Sequence, residues 1–244
     1  MNNVKSFDWS LLDRKLISEI VALSSNKIVG KQLTPIEITA ILRNHFKCFK
    51  IPIGVVSTYH KRTTKSWIWI GGVYYCDNDR IGKQAITLRL QYNPTDHYIV
   101  LDVRRFRRLC VAIADTVLHE IIHMRQYRRR QFKSVSSYIS NAASYHQRAE
   151  QTYLGHSDEI DAYSFNIACM LFDKFKNNHE KILEYLTKDL STSRMTKNSY
   201  LIYLDTFDHK HNHPVIKKLK NKIRYYLPYA KLGKPYKTSD WLKA

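Results

Sequence analysis

A chain of 244 residues with 44% hydrophobic content can bury a full core, most simply as one domain with appendages. No run approaches the roughly 18 apolar residues of a membrane span, and Met1-Asn2-Asn3-Val4-Lys5 lacks the apolar core of a signal peptide, so a soluble, cytoplasmic protein with no membrane partner is expected. The formal net charge of +19 suits an acidic or polyanionic partner; the four cysteines, Cys48, Cys76, Cys110 and Cys169, lack any C-x-x-C and read as buried thiols rather than a disulfide framework or zinc ribbon.

In chain order, Leu12, Leu16, Ile20 and Leu23 predict a helix over 10–23, and Thr34-Pro35-Ile36-Glu37 is a capping box with proline at the first helical position. Residues 52–102 change character. β-rich runs at 55–59, 67–75, 85–92 and 98–101, with turn signals at Asp77-Asn78-Asp79 and Asn93-Pro94, predict a small, largely antiparallel sheet. A helix follows over 106–131, free of Gly and Pro, with Leu109, Ile113 and Val117 as its buried stripe. Further helices are predicted over 140–154, 157–176, 180–190, 200–207 and 214–227; in the last, Ile216, Leu219, Ile223 and Leu227 form an apolar stripe against lysines. The alternating His209, His211 and His213 read as a polar loop rather than a metal site.

The helix over 106–131 carries His119-Glu120-Ile121-Ile122-His123, an H-E-x-x-H pattern. Residues four apart share a helix face, so two imidazoles can reach one ion while Glu120 stands close enough to take a proton from a metal-bound water. Ala112 and Thr116, on the face of His119, leave room for a sheet or substrate to approach. A tetrahedral zinc site needs a third protein ligand. Ser157 reads as the N-cap of the next ligand-bearing helix, with Asp158 and Glu159 in its first turn and Ile160, Tyr163, Ile167, Met170 and Leu171 as its apolar set. Glu159 is the preferred third ligand, with Asp158 or Asp161 as hydrogen-bond partners of a ligand histidine. His156, after Gly155, is the competing candidate.

His119-Glu120-x-x-His123 followed by Glu159-x-Asp161-Ala162-x-x-Phe165-x-x-Ala168 resembles the gluzincin group of metallopeptidases, and within it the compact ImmA/IrrE-like and related phage-encoded domains. The resemblance covers about residues 50–175 and is specific mainly in its first motif; the rival likeness, through His156, is to the SprT/Spartan-like pattern. It implies His119, His123 and Glu159 as zinc ligands and Glu120 as general base. It also implies a strand that pairs with an extended peptide substrate beside the metal, for which 87–92 is the candidate.

Charge supplies the second signal. Arg104, Arg105, Arg107 and Arg108 stand at the start of the motif helix and Arg125, Arg128, Arg129 and Arg130 at its end. From His209 to Ser239 there is no acid, but Lys210, Lys217, Lys218, Lys220, Lys222, Arg224, Lys231, Lys234 and Lys237 alternate with Tyr225, Tyr226, Tyr229 and Tyr236. Lysines that neutralise phosphates and tyrosines that stack on bases make DNA or RNA the expected partner of this stretch. The sequence thus predicts an α+β, zincin-like fold with a small, mostly antiparallel sheet on a motif-bearing helix and additional helices at both ends. It divides as an N-terminal helical segment (1–50), a metallopeptidase core (51–190) and a basic helical extension (191–244). The expected function is Zn2+-dependent peptide hydrolysis of a protein or peptide substrate, with Glu120 as general base. The alternative is a non-catalytic zincin-fold protein, structural or nucleic-acid-associated and of viral kind. The oxyanion donor is open among Tyr145, His146, Tyr153 and His156.

Overall fold

The structure, a computed structural model, describes residues 14–48, 53–61, 67–188 and 199–228. These form ten helices and two small sheets, an α+β arrangement. They divide into two compact units, the first ending at Phe132 and the second beginning at Lys133. Within the first unit the helix at Arg14–Ala22 packs on the one at Val103–Arg129, and within the second the helix at Pro214–Tyr226 packs on the one at Ser157–Phe175.

In the first unit, helix α1 (Arg14–Ala22) leads through the short α2 (Ser25–Ile28) and β1 (Gln32–Leu33) to α3 (Pro35–Cys48). The capping box closes: the Thr34 N–H donates to Glu37 Oε2 at 2.7 Å and the Glu37 N–H to Thr34 Oγ1 at 3.2 Å. Then come β2 (Ile53–Tyr59), β3 (Trp69–Tyr74), a short helix α4 (Cys76–Arg80), β4 (Ile86–Tyr92), β5 (Ile99–Val100) and the 27-residue α5 (Val103–Arg129). The Asp77-Asn78-Asp79 signal therefore marks a helical turn.

The sheet is mixed rather than mostly antiparallel. Its order is β2-β4-β3, with Ile53 opposite Ile86 in a parallel pair and Trp69 opposite Gln91 in an antiparallel one. Two reversals, β2 to β3 and β3 to β4, return β4 to the direction of β2, and β4 pairs between them. The strand over 87–92, the candidate for pairing with a peptide substrate, is thus central, with a strand on either side. β1 and β5 form a separate antiparallel pair. Along β4, Ile86, Leu88, Leu90 and Tyr92 are buried and alternate with Thr87, Arg89 and Gln91. The buried face meets α3 and α5. The Tyr92 hydroxyl lies 3.2 Å from Thr39 Oγ1, whose own proton goes to Pro35 O, so the tyrosine donates. Arg43 of α3 reaches the Val55 carbonyl of β2 through Nε and Nη2.

The second unit is helical: α6 (Tyr145–Gly155), α7 (Ser157–Phe175), α8 (His179–Thr187), α9 (Ser199–Thr206) and α10 (Pro214–Tyr226). The helix expected from 140 starts five residues later, because Ser140 uses its hydroxyl on Gln151 Oε1 at 2.5 Å and Ser144 takes the cap position. Ile216, Leu219 and Ile223 of α10 are buried as their stripe predicts, and α10 packs on α7. Cys110 and Cys169 are buried, Cys76 is half-buried and Cys48 is exposed; all four are free thiols. No helix among the described residues is long and apolar enough to cross a membrane.

Candidate metal centre

Helix α5 is built to hold its motif rigidly. Asp102 caps it, accepting from the Arg105 N–H at 2.7 Å, and Leu109, Ile113 and Val117 are buried at 1% exposure or less, as their spacing predicts. One turn before His119, Asp115 receives a two-pronged ion pair from the buried Arg14 of α1, with Nη2 to Oδ2 at 2.9 Å. At the far end, Arg128 grips Asp79 at 2.8 and 2.6 Å, and the Tyr74 hydroxyl donates to the same carboxylate at 2.9 Å. Burial alone would raise the Asp79 carboxyl, but these donors outweigh it and hold it below the usual carboxylate range. Several arginines that read as a basic surface therefore have internal tasks: Arg128 is a clamp, Arg108 lies over the Trp67 ring and Arg130 over the Tyr127 ring.

The motif residues occupy neighbouring positions on α5. His119 Nε2 and His123 Nε2 stand 3.1 Å apart. Two nitrogens bound at about 2.0–2.1 Å to a tetrahedral ion would be about 3.3 Å apart, so the imidazoles are already close to a chelating geometry. His123 Nδ1 lies 3.0 Å from Gln126 Oε1. An amide oxygen can only accept, so Nδ1 carries the proton and Nε2 presents its lone pair. Gln126 was not foreseen from sequence, although its position three residues after His123 puts it on the same helix face. Glu120, 6% exposed, lies against β3: a Cβ at Gly72 would stand 2.4 Å from Glu120 Oε1 and 2.8 Å from Thr116 Cγ2. The small residue at 116 does admit a strand, and the glycine that makes the approach feasible is the other residue the sequence reading missed. Gly71-Gly72 inside a strand run is the signal that marks such an approach.

In the second unit, Glu159 sits in the first turn of α7. The helix is capped by His156 rather than Ser157: His156 Nδ1 accepts from the Asp158 N–H at 3.3 Å, and Ser157 is the first helical residue. Asp161 turns toward α10, accepting from the Tyr226 hydroxyl at 3.1 Å and pairing with Lys222 Nζ at 2.8 Å, which gives it a task other than orienting a ligand histidine. Among the four possible oxyanion donors, Tyr145, His146 and Tyr153 all reach the surface, Tyr153 with half its area covered, and His156 serves as the cap. Tyr153 is the one beside Glu159: partial burial, with Tyr163 and Glu159 as hydrogen-bond partners, pushes its phenol well above the ordinary tyrosine value.

Among the described residues one group of side chains could hold a metal ion, and it is His119, His123 and Glu159, whose candidate ligand atoms all lie within 4.8 Å of one another. His119 is buried and the other two partly so. Two imidazoles and a carboxylate are the donor set of a three-ligand catalytic zinc site, so the residues fit the ion that the resemblance implies. The histidines of 209–213 form no such group: His209 pairs with Asp205 at 2.9 Å, His211 contacts Lys220 at 2.9 Å, and His213 caps α10. In comparisons with family models, curated proteins and solved structures, nothing matches this chain.

Proposed function

We propose that the chain is a zinc-dependent peptidase of gluzincin type, with the zincin-like order of sheet, motif helix and third-ligand helix. The observation that carries the reading is the convergence of His119, His123 and Glu159, with Glu120 between the two histidines in sequence. A bound divalent ion would polarise the scissile carbonyl and acidify a water molecule. The chain's own residues do the rest. His119 and His123 offer Nε2, and Gln126 keeps the second ring in the ligating tautomer. Glu120, held against Gly72, takes the proton of the attacking water and delivers it to the leaving amine. Tyr153 is the donor assigned to the developing oxyanion. β3 has β4 on one side only among the described residues, so its outer edge offers backbone groups to an extended peptide, the part first expected of 87–92.

The test combines metal content with turnover. The purified protein should carry about one equivalent of zinc, and His119→Ala or His123→Ala should abolish it. Glu120→Gln should keep the metal and the fold while lowering peptide hydrolysis by on the order of 10² to 10⁴. Stoichiometric zinc in a wild type that hydrolyses neither peptides nor itself would transfer the reading to a non-catalytic zincin-fold protein. Metal retained by both histidine variants would remove the site altogether.

A further inference from the structure

The second unit contains a half-open cavity of about 350 Å³ that the peptidase reading does not use. Its size lies within the range of small-molecule sites, roughly 300–1,000 Å³. Tyr138, His213 and the buried Phe207 line it as one aromatic cluster: Tyr138 meets His213 edge to face with ring centroids 6.4 Å apart, and Phe207 lies 4.6 Å from His213 and 6.2 Å from Tyr138. Tyr138 is held in place because Gly155 leaves it room: a Cβ there would come within 2.4 Å of its ring. Polar groups stand at the lining. The Gln147 amide donates to Asp208 Oδ1 at 3.2 Å, and Lys210 Nζ lies 3.3 Å from Asp208 Oδ2. Ring faces together with a carboxylate, an ammonium and an amide suit a flat heterocycle with hydrogen-bonding edges. A purely apolar ligand would strip water from Asp208 and Lys210 without replacing it, and a simple anion would face the carboxylate.

A second observation points the same way. His213, a wall of the cavity, is also the N-cap of α10, accepting from the Val215 N–H at 3.3 Å. From there Lys217, Asn221 and Arg224 follow at helical spacing with Lys218 beside them, all exposed. The stripe rises about 16 Å from 213 to 224. α10 has no acidic residue, and Asp161, which faces it from α7, is occupied with Lys222 and Tyr226 on another side of the helix. The cavity thus opens at the head of a row of exposed cations on a helix that has no acidic residue.

We propose that the second unit binds single-stranded nucleic acid, one base entering the cavity to lie against the Tyr138 ring while the phosphates lie along Lys217, Lys218 and Arg224. A paired base cannot enter such a cavity without being flipped from its stack, so single strands are preferred over duplex. The inference is independent of the peptidase reading, since it uses none of the metal-site residues.

Fluorescence anisotropy on the full chain decides it, with a labelled mixed-sequence single strand, an abasic strand of the same length and the matching duplex. The base-bearing strand should bind about tenfold or more tighter than the abasic one, as a stacked base contributes on the order of 1–3 kcal/mol. Tyr138→Leu should reduce it to the abasic level, and Tyr138→Phe, which keeps the ring, should not. Replacing Lys217, Lys218 and Arg224 with Ala should weaken every strand and flatten the salt dependence, the slope falling by about 0.7 for each phosphate no longer neutralised. Equal affinity of the unmodified chain for base-bearing and abasic strands, or for duplex, overturns the proposal without reference to any variant. So does the absence of binding at low salt, which would assign the cations to an acidic protein.

Discussion

At the residue scale the proposed site rests on two side chains outside the His119, His123 and Glu159 group and on one that is missing. A methyl group at position 72 would overlap the Glu120 carboxylate, so Gly72→Ala should push the base off its line. Peptide hydrolysis should fall by on the order of 10²-fold, the effect of a displacement of about 1 Å, with zinc content unchanged. Wild-type turnover in that variant would mean that Glu120 does not act from the position it holds. Gln126→Leu removes the acceptor that fixes the His123 tautomer, and competition with a chelator should show zinc affinity lower by about 10- to 100-fold. The three motif residues were legible because helical spacing alone brings i and i+4 to one face. Gly72 was not: nothing local ties it to Glu120, and their approach exists only once β3 has taken the edge beside α5. Glu159 lay between these cases. Its place in a first turn was readable, but its company with the histidines was supplied by resemblance and not by spacing.

At the scale of elements, sequence periodicity identified what each segment is and left open what it pairs with. The alternation in β4 predicts one buried face, and the structure agrees, yet alternation is the same for a central strand and an edge, and for parallel and antiparallel partners. Helix ends were legible where a side chain closes on a backbone N–H, as at Thr34, and misplaced by one residue where His156 takes the place assigned to Ser157. The N-terminus of α5 carries Arg104 and Arg105 against the helix dipole, and Asp102 offsets them through its cap. Asp102→Ala should therefore cost about 1 kcal/mol, measurable as a lower thermal midpoint; no change would show that packing alone sets this end. α1 and α3 meet partly through His45, whose Nε2 lies 2.5 Å from the Ile20 carbonyl. Burial holds the ring below the ordinary histidine value, with that hydrogen bond opposing and Lys27 adding to the effect. The unfolded chain then takes up a proton more readily than the folded one. This contribution to stability is complete above about pH 6.5 and is lost as the pH falls through the depressed folded value. A thermal midpoint followed from about pH 7.5 down to about 5 should decline, and the decline should be shallower in His45→Gln; parallel curves would assign the acid sensitivity to other groups.

For the whole molecule, the net charge of +19 tempts one to treat the basic C-terminal stretch as a removable tail, an extension from 191 that could be cut at Phe207 with the metal site untouched. Residues 229–244, with Lys231, Lys234, Lys237, Tyr229 and Tyr236, lie outside the described residues, but α10 does not behave as a tail. Its apolar stripe is fully buried, Ile216, Leu219 and Ile223 each at 0% exposure, and Tyr226 and Lys222 tie it to Asp161 of α7. α7 is also the helix that carries Glu159. Ending the chain at Phe207 would uncover the apolar flank of that helix, so the truncated protein should lose thermal stability and zinc together, and a fall in its nucleic-acid binding would say nothing about phosphate recognition. Point substitutions separate the two faces of α10. Ile223→Ala should destabilise by about 2–5 kcal/mol through the cavity it leaves, whereas Lys217→Ala should stay within about 0.5 kcal/mol of the parent in thermal or denaturant unfolding. A truncated chain that keeps both its midpoint and its zinc would restore the detachable extension and refute the structural role of α10.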